Sequence, residues 1–288
     1  MSSYLERLGA RTRSTGSVLC LGIDPVLEAL PAGFSRDLAG IERFCEVLLE
    51  AALPFASAVK PNIAFFEAFG SPGIAALERL RIRIPAEIVF VVDAKRGDIG
   101  TTAARQATAL FDNLGADAVT VNPYLGSEAV EPLIGRVGRF AYVLCRTSNP
   151  GAGELQSLEV AADPTIDAPA EPLYARVARR ARQWGPGGTV GLVVGATAPV
   201  ELEKIRAIAP ELALLVPGVG AQGGEVEPVL RHGPATSPPA GEWQGGRLLV
   251  NVSRGISAAA SGRDGTVDVA VLLAAAAADW AARLRVPA

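Results

Sequence analysis

The stretch from Ile88 to Thr102 reads IVFVVDAKRGDIGTT, and it decides the fold. It opens with five apolar, mostly β-branched residues, a composition typical of a strand that is covered on both faces. Asp93 and Lys95 follow two positions apart, so on a strand their side chains point the same way. Gly97 then allows a tight turn before Asp98. The stretch therefore predicts a buried strand that ends in a charged cluster.

A charged cluster in this position has a structural and a chemical interpretation. The structural one is a salt-bridged strand end, because buried charges are costly unless they pair. Three charges among glycines favour the chemical one, since catalytic residues gather at the C-terminal ends of strands in α/β folds. Flanking carboxylates favour a charged Lys95, which suits a proton donor or an electrostatic stabiliser better than a Schiff-base nucleophile. A divalent metal on Asp93 and Asp98 is disfavoured, because Lys95 between them would repel it.

Strand and helix patterns alternate along the whole chain. Strands are predicted at 18–23, 56–60, 88–94, 118–121, 140–145, 189–194, 213–216 and 248–251. Helices are predicted at 41–53, 102–113, 173–184, 200–208 and 267–284, with helical material up to about 81. Eight alternating strands favour a TIM (β/α)8 barrel over a doubly wound open sheet. Because we find no linker, we expect residues 1–288 to form a single domain.

Composition excludes several classes of protein. The net charge of −3 argues against nucleic-acid or membrane-surface binding by bulk charge. Cys20, Cys45 and Cys145 form no CxxC pair, so they predict a reducing, cytoplasmic compartment rather than a zinc or redox motif. The N-terminus lacks an apolar signal-peptide core, and the Ala-rich segment 267–284 is interrupted by aspartates, which favours a packed helix over a membrane span. His232 is the only histidine, so hydrolysis by a catalytic triad is disfavoured.

Charged residues also close the first two predicted strands. Asp24 ends the first strand and Lys60 the second. In a barrel, these ends and that of the third strand converge at one end. We therefore expect Asp24, Lys60, Asp93, Lys95 and Asp98 to form one network of alternating charge.

Two glycine-containing segments follow the last two predicted strands. Segment 217–224 contains Gln222, and segment 251–255 contains Arg254. Backbone N–H groups, an amide and a guanidinium suit a phosphate, and loops after strands seven and eight are the usual phosphate site of a TIM barrel. Ser148 follows strand five, where a hydroxyl group would suit the polar edge of a ring or an ordinary turn.

The segment from Asp93 to Thr102 closely resembles the signature of the orotidine 5'-monophosphate decarboxylase family, in its longer bacterial form. The resemblance extends in the right order to Asp24, Lys60, Ser148 and the two phosphate segments. It implies decarboxylation of orotidine 5'-monophosphate to uridine 5'-monophosphate in pyrimidine biosynthesis, with no cofactor and no metal. It also implies a homodimer.

The resemblance assigns a role to each matching residue. It implies that Lys95 stabilises and protonates a carbanion at pyrimidine C6, with Asp93, Asp98 and Lys60 as the other catalytic residues. The substrate-binding residues that it implies are Asp24 and Thr102 at the ribose region or across the interface, Ser148 at the pyrimidine, and Gln222 and Arg254 at the phosphate. Asp98 and Thr102 would enter the site from the neighbouring subunit.

Two departures from the family pattern and two alternatives stay open. The glycine- and proline-rich loops 147–172 and 233–246 are longer than in compact family members, and Ser253 stands where a glycine is common. One alternative is a magnesium-dependent sugar-phosphate decarboxylase or aldolase of the same superfamily, which shares the Asp-x-Lys-x-x-Asp spacing. The other is a non-catalytic barrel that binds a phosphate ligand.

Overall fold

The computed structural model describes residues 3–238, 244–261 and 268–286. Eight parallel strands form a closed barrel. The strands are β1 Leu19–Ile23, β2 Ala58–Pro61, β3 Val89–Arg96, β4 Ala118–Val121, β5 Phe140–Arg146, β6 Val190–Val194, β7 Ala213–Pro217 and β8 Leu248–Val252. Around the barrel they follow the order β1-β8-β7-β6-β5-β4-β3-β2. The predicted TIM barrel is confirmed, and each predicted strand overlaps an observed one.

Helices surround the barrel and also close one of its ends. They are α1 Tyr4–Thr15, α2 Leu38–Ala52, α3 Ala64–Glu67, α4 Gly70–Ile82, α5 Gly100–Ala107, α6 Glu131–Ile134, α7 Gly153–Gln156, α8 Leu173–Ala181, α9 Pro199–Ile208, α10 Val226–His232, α11 Arg254–Ser257 and α12 Val269–Arg283. A π-helical segment, Thr108–Asn113, continues α5. Within the described ranges, no helix has the length and apolar content that a membrane span requires.

We call the barrel end at which the strands begin the floor, and the end at which they finish the mouth. Helix α1 seals the floor. Ser3 and Glu6 form a capping box that starts the helix, a signal that the sequence analysis missed. Its buried residues Tyr4 and Leu8 pack with inward-facing strand residues, and the Tyr4 ring stacks on Phe140 at 4.5 Å. Each buried side chain of this size contributes roughly 1.5–3 kcal/mol, so α1 is part of the core.

A buried carboxylate at the floor is surrounded by arginines. Asp117 immediately precedes β4 and accepts a hydrogen bond from the Phe90 N–H at 2.8 Å. Its oxygens lie 2.5 Å from Arg7, 3.7 Å from Arg139 and 4.0 Å from Arg81. One carboxylate thus joins α1, α4 and the starts of three neighbouring strands.

The long loop 147–172 has more structure than its composition indicated. It contains α7 and a two-stranded antiparallel hairpin, Glu159–Val160 with Glu171–Pro172. Glu171 pairs with Arg176 at 2.9 Å and Arg179 at 3.1 Å, both on α8. Strands of two residues are too short to show an alternation of apolar and polar residues. Ion pairs rather than apolar packing stabilise this hairpin, so the hydrophobic pattern did not predict it. The other long loop, 233–246, lies partly outside the described residues, as does the first residue of the predicted helix 267–284.

Candidate active site

The site is built on the end of β3, where the backbone is strained. The pairing of β3 with β4 shifts register between Val92 and Arg96. Inside that irregularity Lys95 has φ +48°, the left-handed region. For a residue with a side chain this costs roughly 1–2 kcal/mol, and such strain clusters at functional sites. At Gly97 a Cβ would lie 2.6 Å from the backbone oxygen of Asn122, so this turn requires glycine.

Asp93 is held between two lysines. Its Oδ2 accepts a hydrogen bond from Lys60 Nζ at 2.9 Å, and its Oδ1 accepts one from Lys95 Nζ at 2.6 Å. The Lys60 side chain is 4% exposed and the Lys95 side chain is 48% exposed. The buried lysine therefore fixes the carboxylate, while the second lysine presents its ammonium to the open mouth.

The electrostatics of this group keep its members charged. Burial alone would raise the pKa of Asp93, but the ammonium groups of Lys60 and Lys95 outweigh burial and hold that pKa well below its usual range. Burial likewise opposes the charge on Lys60, yet the carboxylates of Asp93 and Asp24 raise its pKa to about 12. At neutral pH, Asp93 is a carboxylate and Lys60 is an ammonium group.

Thr120 completes this group, and the sequence analysis did not predict it. Its hydroxyl donates to Asp93 Oδ1 at 2.8 Å and accepts from the backbone N–H of Lys95 at 2.9 Å. A signal was available, because inward-facing residues alternate along a strand. Ala118 faces the barrel interior, so Thr120 two positions later faces inward as well.

The same alternation places Asn251 at the end of β8, two positions after the inward-facing Leu249. Its Oδ1, together with Asp24 Oδ1 and Ser253 Oγ, is buried and has no hydrogen-bond partner among the described residues. At Gly22 a Cβ would lie 2.7 Å from Ser253 Cβ, so glycine allows these groups to approach. Leaving a buried polar atom unpaired costs roughly 1–3 kcal/mol. These oxygens therefore favour a ligand that brings hydroxyl donors.

The loop after β7 brings Ser148 and Gln222 together. Gly218 has φ +97°, and a Cβ there would lie 2.9 Å from Gln222 Oε1 and 3.0 Å from Ser148 Cβ. Ser148 also abuts Gly195, where a Cβ would lie 2.8 Å from the serine Cα. Gln222 is exposed, as is Arg254 at the start of α11. Amide, hydroxyl and guanidinium groups thus border the same side of the mouth.

Trp280 on α12 contacts the segments 217–224 and 251–255, which we call the two glycine loops. Its Nε1 donates to the Gly255 carbonyl at 3.0 Å, and a Cβ at Gly220 would lie 2.9 Å from its ring. Arg283 lies over the ring at 4.0 Å. One indole therefore fixes the position of the loop after β7 relative to the loop after β8.

A cavity of about 190 Å³ lies between the end of β1, α2 and α11. Asp24 and Arg254 both line it, and Val26, Phe44 and Leu48 provide apolar wall. A ligand in this space would meet both the Asp24 carboxylate and the Arg254 guanidinium.

Asp98 and Thr102 lie outside the group around Asp93. Asp98 Oδ1 accepts a hydrogen bond from the next backbone N–H, that of Ile99, at 2.8 Å. Thr102 is exposed on the first turn of α5. Exposed apolar side chains lie at and near this edge, with Ile99 62%, Tyr124 78% and Leu125 54% exposed. Of the predicted five-residue network, the structure thus brings together Asp24, Lys60, Asp93 and Lys95, and it leaves Asp98 at the rim.

The chemistry available is that of an ammonium group beside a carboxylate. Burial raises the pKa of the Cys20 thiol to about 12, so that thiol is not a nucleophile. His232 ends α10, a helix that runs back toward the floor. In the described parts of the chain, no three His, Cys, Asp or Glu side chains converge as a metal ligand set. Proton donation and stabilisation of developing negative charge are what Lys95 can supply.

Comparison with known proteins gives one consistent family. The model described as "Orotidine 5'-phosphate decarboxylase / HUMPS family" matches residues 17–265. An orotidine 5'-phosphate decarboxylase of Thermomicrobium roseum is 47% identical over 257 residues, covering 88% of this chain and 86% of the relative. One of Roseiflexus sp. is 42% identical and covers 98% and 96%. The solved structure of Leishmania donovani OMP decarboxylase, 38% identical, superposes with a TM-score of 0.80 and covers 98% of each chain. The matched residues include all eight strands and both glycine loops.

Proposed function

The chain belongs to the orotidine 5'-phosphate decarboxylase / HUMPS family, and on that premise we propose that it converts orotidine 5'-monophosphate to uridine 5'-monophosphate and carbon dioxide. The reaction is a step of pyrimidine biosynthesis. The observation that carries the proposal is the placement of Asp93 between Lys60 and Lys95 at the mouth. This arrangement juxtaposes a fixed negative charge and a mobile proton.

We place the phosphate of the substrate at Gln222 and Arg254, and the pyrimidine near Ser148. Asp24 and Lys60 then face the ribose, and the buried oxygens of Asp24 and Asn251 are acceptors for its hydroxyl groups. These contacts lie away from the bond that breaks. The binding energy of these remote contacts therefore positions the substrate carboxylate against Asp93 and Lys95, although none of the contacts takes part in the bond changes.

The chemical step uses Asp93 and Lys95 in different ways. The substrate carboxylate approaches Asp93, whose low pKa keeps it ionised, and the two negative charges disfavour the bound ground state. The bond from C6 to the carboxylate breaks, carbon dioxide leaves, and the electron pair remains on C6. The Lys95 ammonium stabilises that pair and donates a proton to C6. Lys95 leaves the step as a neutral amine and regains its proton from solvent.

We propose that the reaction needs no metal or organic cofactor. Each oxygen of Asp93 already accepts a hydrogen bond from an ammonium group, and this set of neighbours does not suit a divalent cation. A divalent cation that binds Asp93 would have to displace a lysine ammonium group and would then be repelled by its positive charge.

We further propose a homodimer in which Asp98 and Thr102 of each subunit complete the site of the other. Their position at the rim, beside exposed Ile99 and Tyr124, supports this. We also propose that residues 1–288 act as one domain, since all eight strands shape the site. The three buried, unpaired cysteines support a cytoplasmic enzyme.

The decisive experiment is turnover of orotidine 5'-monophosphate by purified protein, followed by loss of substrate absorbance, with and without a metal chelator. We expect turnover that the chelator leaves unchanged. Turnover of this substrate that the chelator abolishes would contradict the metal-free mechanism. A folded protein that binds uridine 5'-monophosphate but turns nothing over would support the binding barrel.

The dimer has a separate test by subunit mixing. Lys95→Ala and Asp98→Ala each inactivate a homodimer, but a mixed dimer regains one intact site if Asp98 acts across the interface. After equilibration of equal amounts, about one quarter of all sites should be active, because half of the dimers are mixed. No recovery in a sample shown to exchange subunits would place Asp98 in its own subunit's site.

A further inference from the structure

Thr120 lies beside the catalytic residues of the proposed reaction, but the mechanism above gives it no role. It is 2% exposed and is the one polar side chain of β4, Ala118–Val121. Its single hydroxyl touches two members of the charged group, the Lys95 backbone and the Asp93 carboxylate.

The first contact supports the strained backbone of Lys95. Along a regular parallel ladder, backbone N–H groups of β3 would donate to backbone carbonyls of the neighbouring strand. The register shift between Val92 and Arg96 interrupts that pattern. The Lys95 N–H donates instead to the Thr120 hydroxyl at 2.9 Å, while Lys95 keeps φ +48°. A side-chain oxygen thus takes the place of a ladder carbonyl where the chain turns its lysine toward the mouth.

The second contact uses the single proton of the Thr120 hydroxyl. The Thr120 oxygen accepts from the Lys95 N–H through a lone pair, and it donates its proton to Asp93 Oδ1 at 2.8 Å, because an ionised carboxylate can only accept. Asp93 Oδ1 then receives Lys95 Nζ and the Thr120 hydroxyl, and Oδ2 receives Lys60 Nζ. The plane of the carboxylate is fixed by three donors on three strands.

We propose that Thr120 is a positioning residue for the decarboxylation: it fixes the Lys95 main chain and the Asp93 carboxylate relative to each other. The inference rests on the proposed function. Thr120 touches neither substrate nor a transferred proton in this scheme. Its contribution is to hold the ammonium and the carboxylate in the geometry needed at the transition state, so its loss should affect turnover more than binding.

The test compares Thr120→Val, which keeps the shape and loses the hydroxyl, with Thr120→Ser, which keeps the hydroxyl. We expect Thr120→Val to lower kcat about ten-fold or more while KM and the affinity for uridine 5'-monophosphate change less than about two-fold. Thr120→Ser should retain kcat within about three-fold. Thr189→Val is a matched control, because Thr189 is a buried threonine at the floor whose hydroxyl has no partner among the described residues. It should leave kcat unchanged.

Three results would overturn the inference: wild-type kcat in Thr120→Val, a serine variant as impaired as the valine variant, or parallel loss of kcat and nucleotide affinity. If Thr120→Val does not fold, Thr120→Ala, which is smaller, is measured against the same serine variant. Wild-type turnover is established first. Its absence would refute the proposed function, whereas wild-type turnover with an unaffected valine variant would refute only the role of Thr120.

Discussion

The two ends of the barrel hold the same motif, a buried carboxylate surrounded by cations, made from different cations. At the mouth, Asp93 lies between Lys60 and Lys95. At the floor, Asp117 lies among Arg7, Arg81 and Arg139. An arginine stays protonated at any accessible pH and offers several fixed donors, whereas a lysine can give up its proton. The floor is therefore suited to hold elements together, and the mouth to perform chemistry.

The composition of the whole chain sharpens this contrast. Of 27 basic residues only three are lysines, namely Lys60, Lys95 and Lys204. Two of the three lie at the mouth, where a transferable proton is useful, and arginine supplies the remaining basic residues. The two ends also differ in strain, since Lys95 has a left-handed backbone. We therefore expect function and stability to be separated along the barrel axis, and the variants below test this separation.

The largest effect is expected from Lys95→Arg, which keeps the positive charge and removes the transferable proton. We expect kcat to fall by at least about 10³-fold, with little change in the free energy of unfolding, because Lys95 is half exposed. Steady-state kinetics and denaturant unfolding check the two parts. Lys204→Arg on the exposed face of α9 is the matched control and should retain full activity. Substantial activity in Lys95→Arg would show that charge alone suffices at the mouth.

At the floor, Asp117→Ala should produce the opposite result. It leaves three arginines facing one another and the Phe90 N–H without its acceptor. We expect the free energy of unfolding to fall by about 3 kcal/mol, while the folded protein keeps kcat within about two-fold. The control is Asp112→Ala, an exposed carboxylate paired with Arg136, which should leave the denaturation midpoint unchanged. Loss of kcat in folded Asp117→Ala would break the separation between the ends.

A smaller effect at the floor is expected from Tyr4→Phe. The Tyr4 and Tyr142 hydroxyl groups lie 3.0 Å apart in a fully buried setting. Removing one leaves the other without that partner and should cost about 1–2 kcal/mol of stability. Thermal and denaturant unfolding measure the change, and kcat should not move. Unlike the Thr120 hydroxyl at the mouth, this one should matter only to stability, so a change in kcat would contradict the comparison.

The smallest effect concerns pH. Because the pKa of Asp93 is depressed in the folded state, its ionisation contributes stability that is present above the unfolded value near 4 and is lost as pH falls through the folded value. Between pH 5 and pH 3, the free energy of unfolding of the wild type should fall by about 1 kcal/mol more than that of Asp93→Asn. Denaturant titrations across this range provide the measurement. If the free energies of unfolding of the two proteins fall equally over this pH range, the pKa of Asp93 is not lowered in the folded state.

Much of the fold and part of the site could be predicted from the sequence. The eight strands were predictable because most of each strand is a buried apolar run. Asp93 and Lys95 were predictable because their spacing of two on a strand fixes a common side, and the structure places them 2.6 Å apart. Helix α1 was missed although its capping box, Ser3 with Glu6, is visible in the sequence. That signal is local and short, and no long apolar run accompanies it.

The remaining features depend on tertiary structure. Arg7, Arg81 and Arg139 come from distant segments, and nothing in their local sequence indicates one shared carboxylate. The left-handed backbone of Lys95 arises from a register shift between two strands, which exists only once they pair. Thr120 was accessible in principle through the inward alternation of β4, but a lone threonine in a strand is ordinarily a β-former rather than a site residue. Its two hydrogen bonds become visible only in three dimensions.

Trp280 gives the molecule an optical reporter of its own ligand. The indole bonds to the carbonyl of Gly255, touches Gly220 and lies under the guanidinium of Arg283. Its emission is sensitive to the charge and geometry of the loops 217–224 and 251–255 around it, so we expect an anion that binds between these loops to change the electric field across the ring. With Trp184 and Trp243 replaced by phenylalanine, the fluorescence of this single tryptophan would follow nucleotide arrival and departure on the timescale of mixing. Occupancy could then be timed independently of the chemical step.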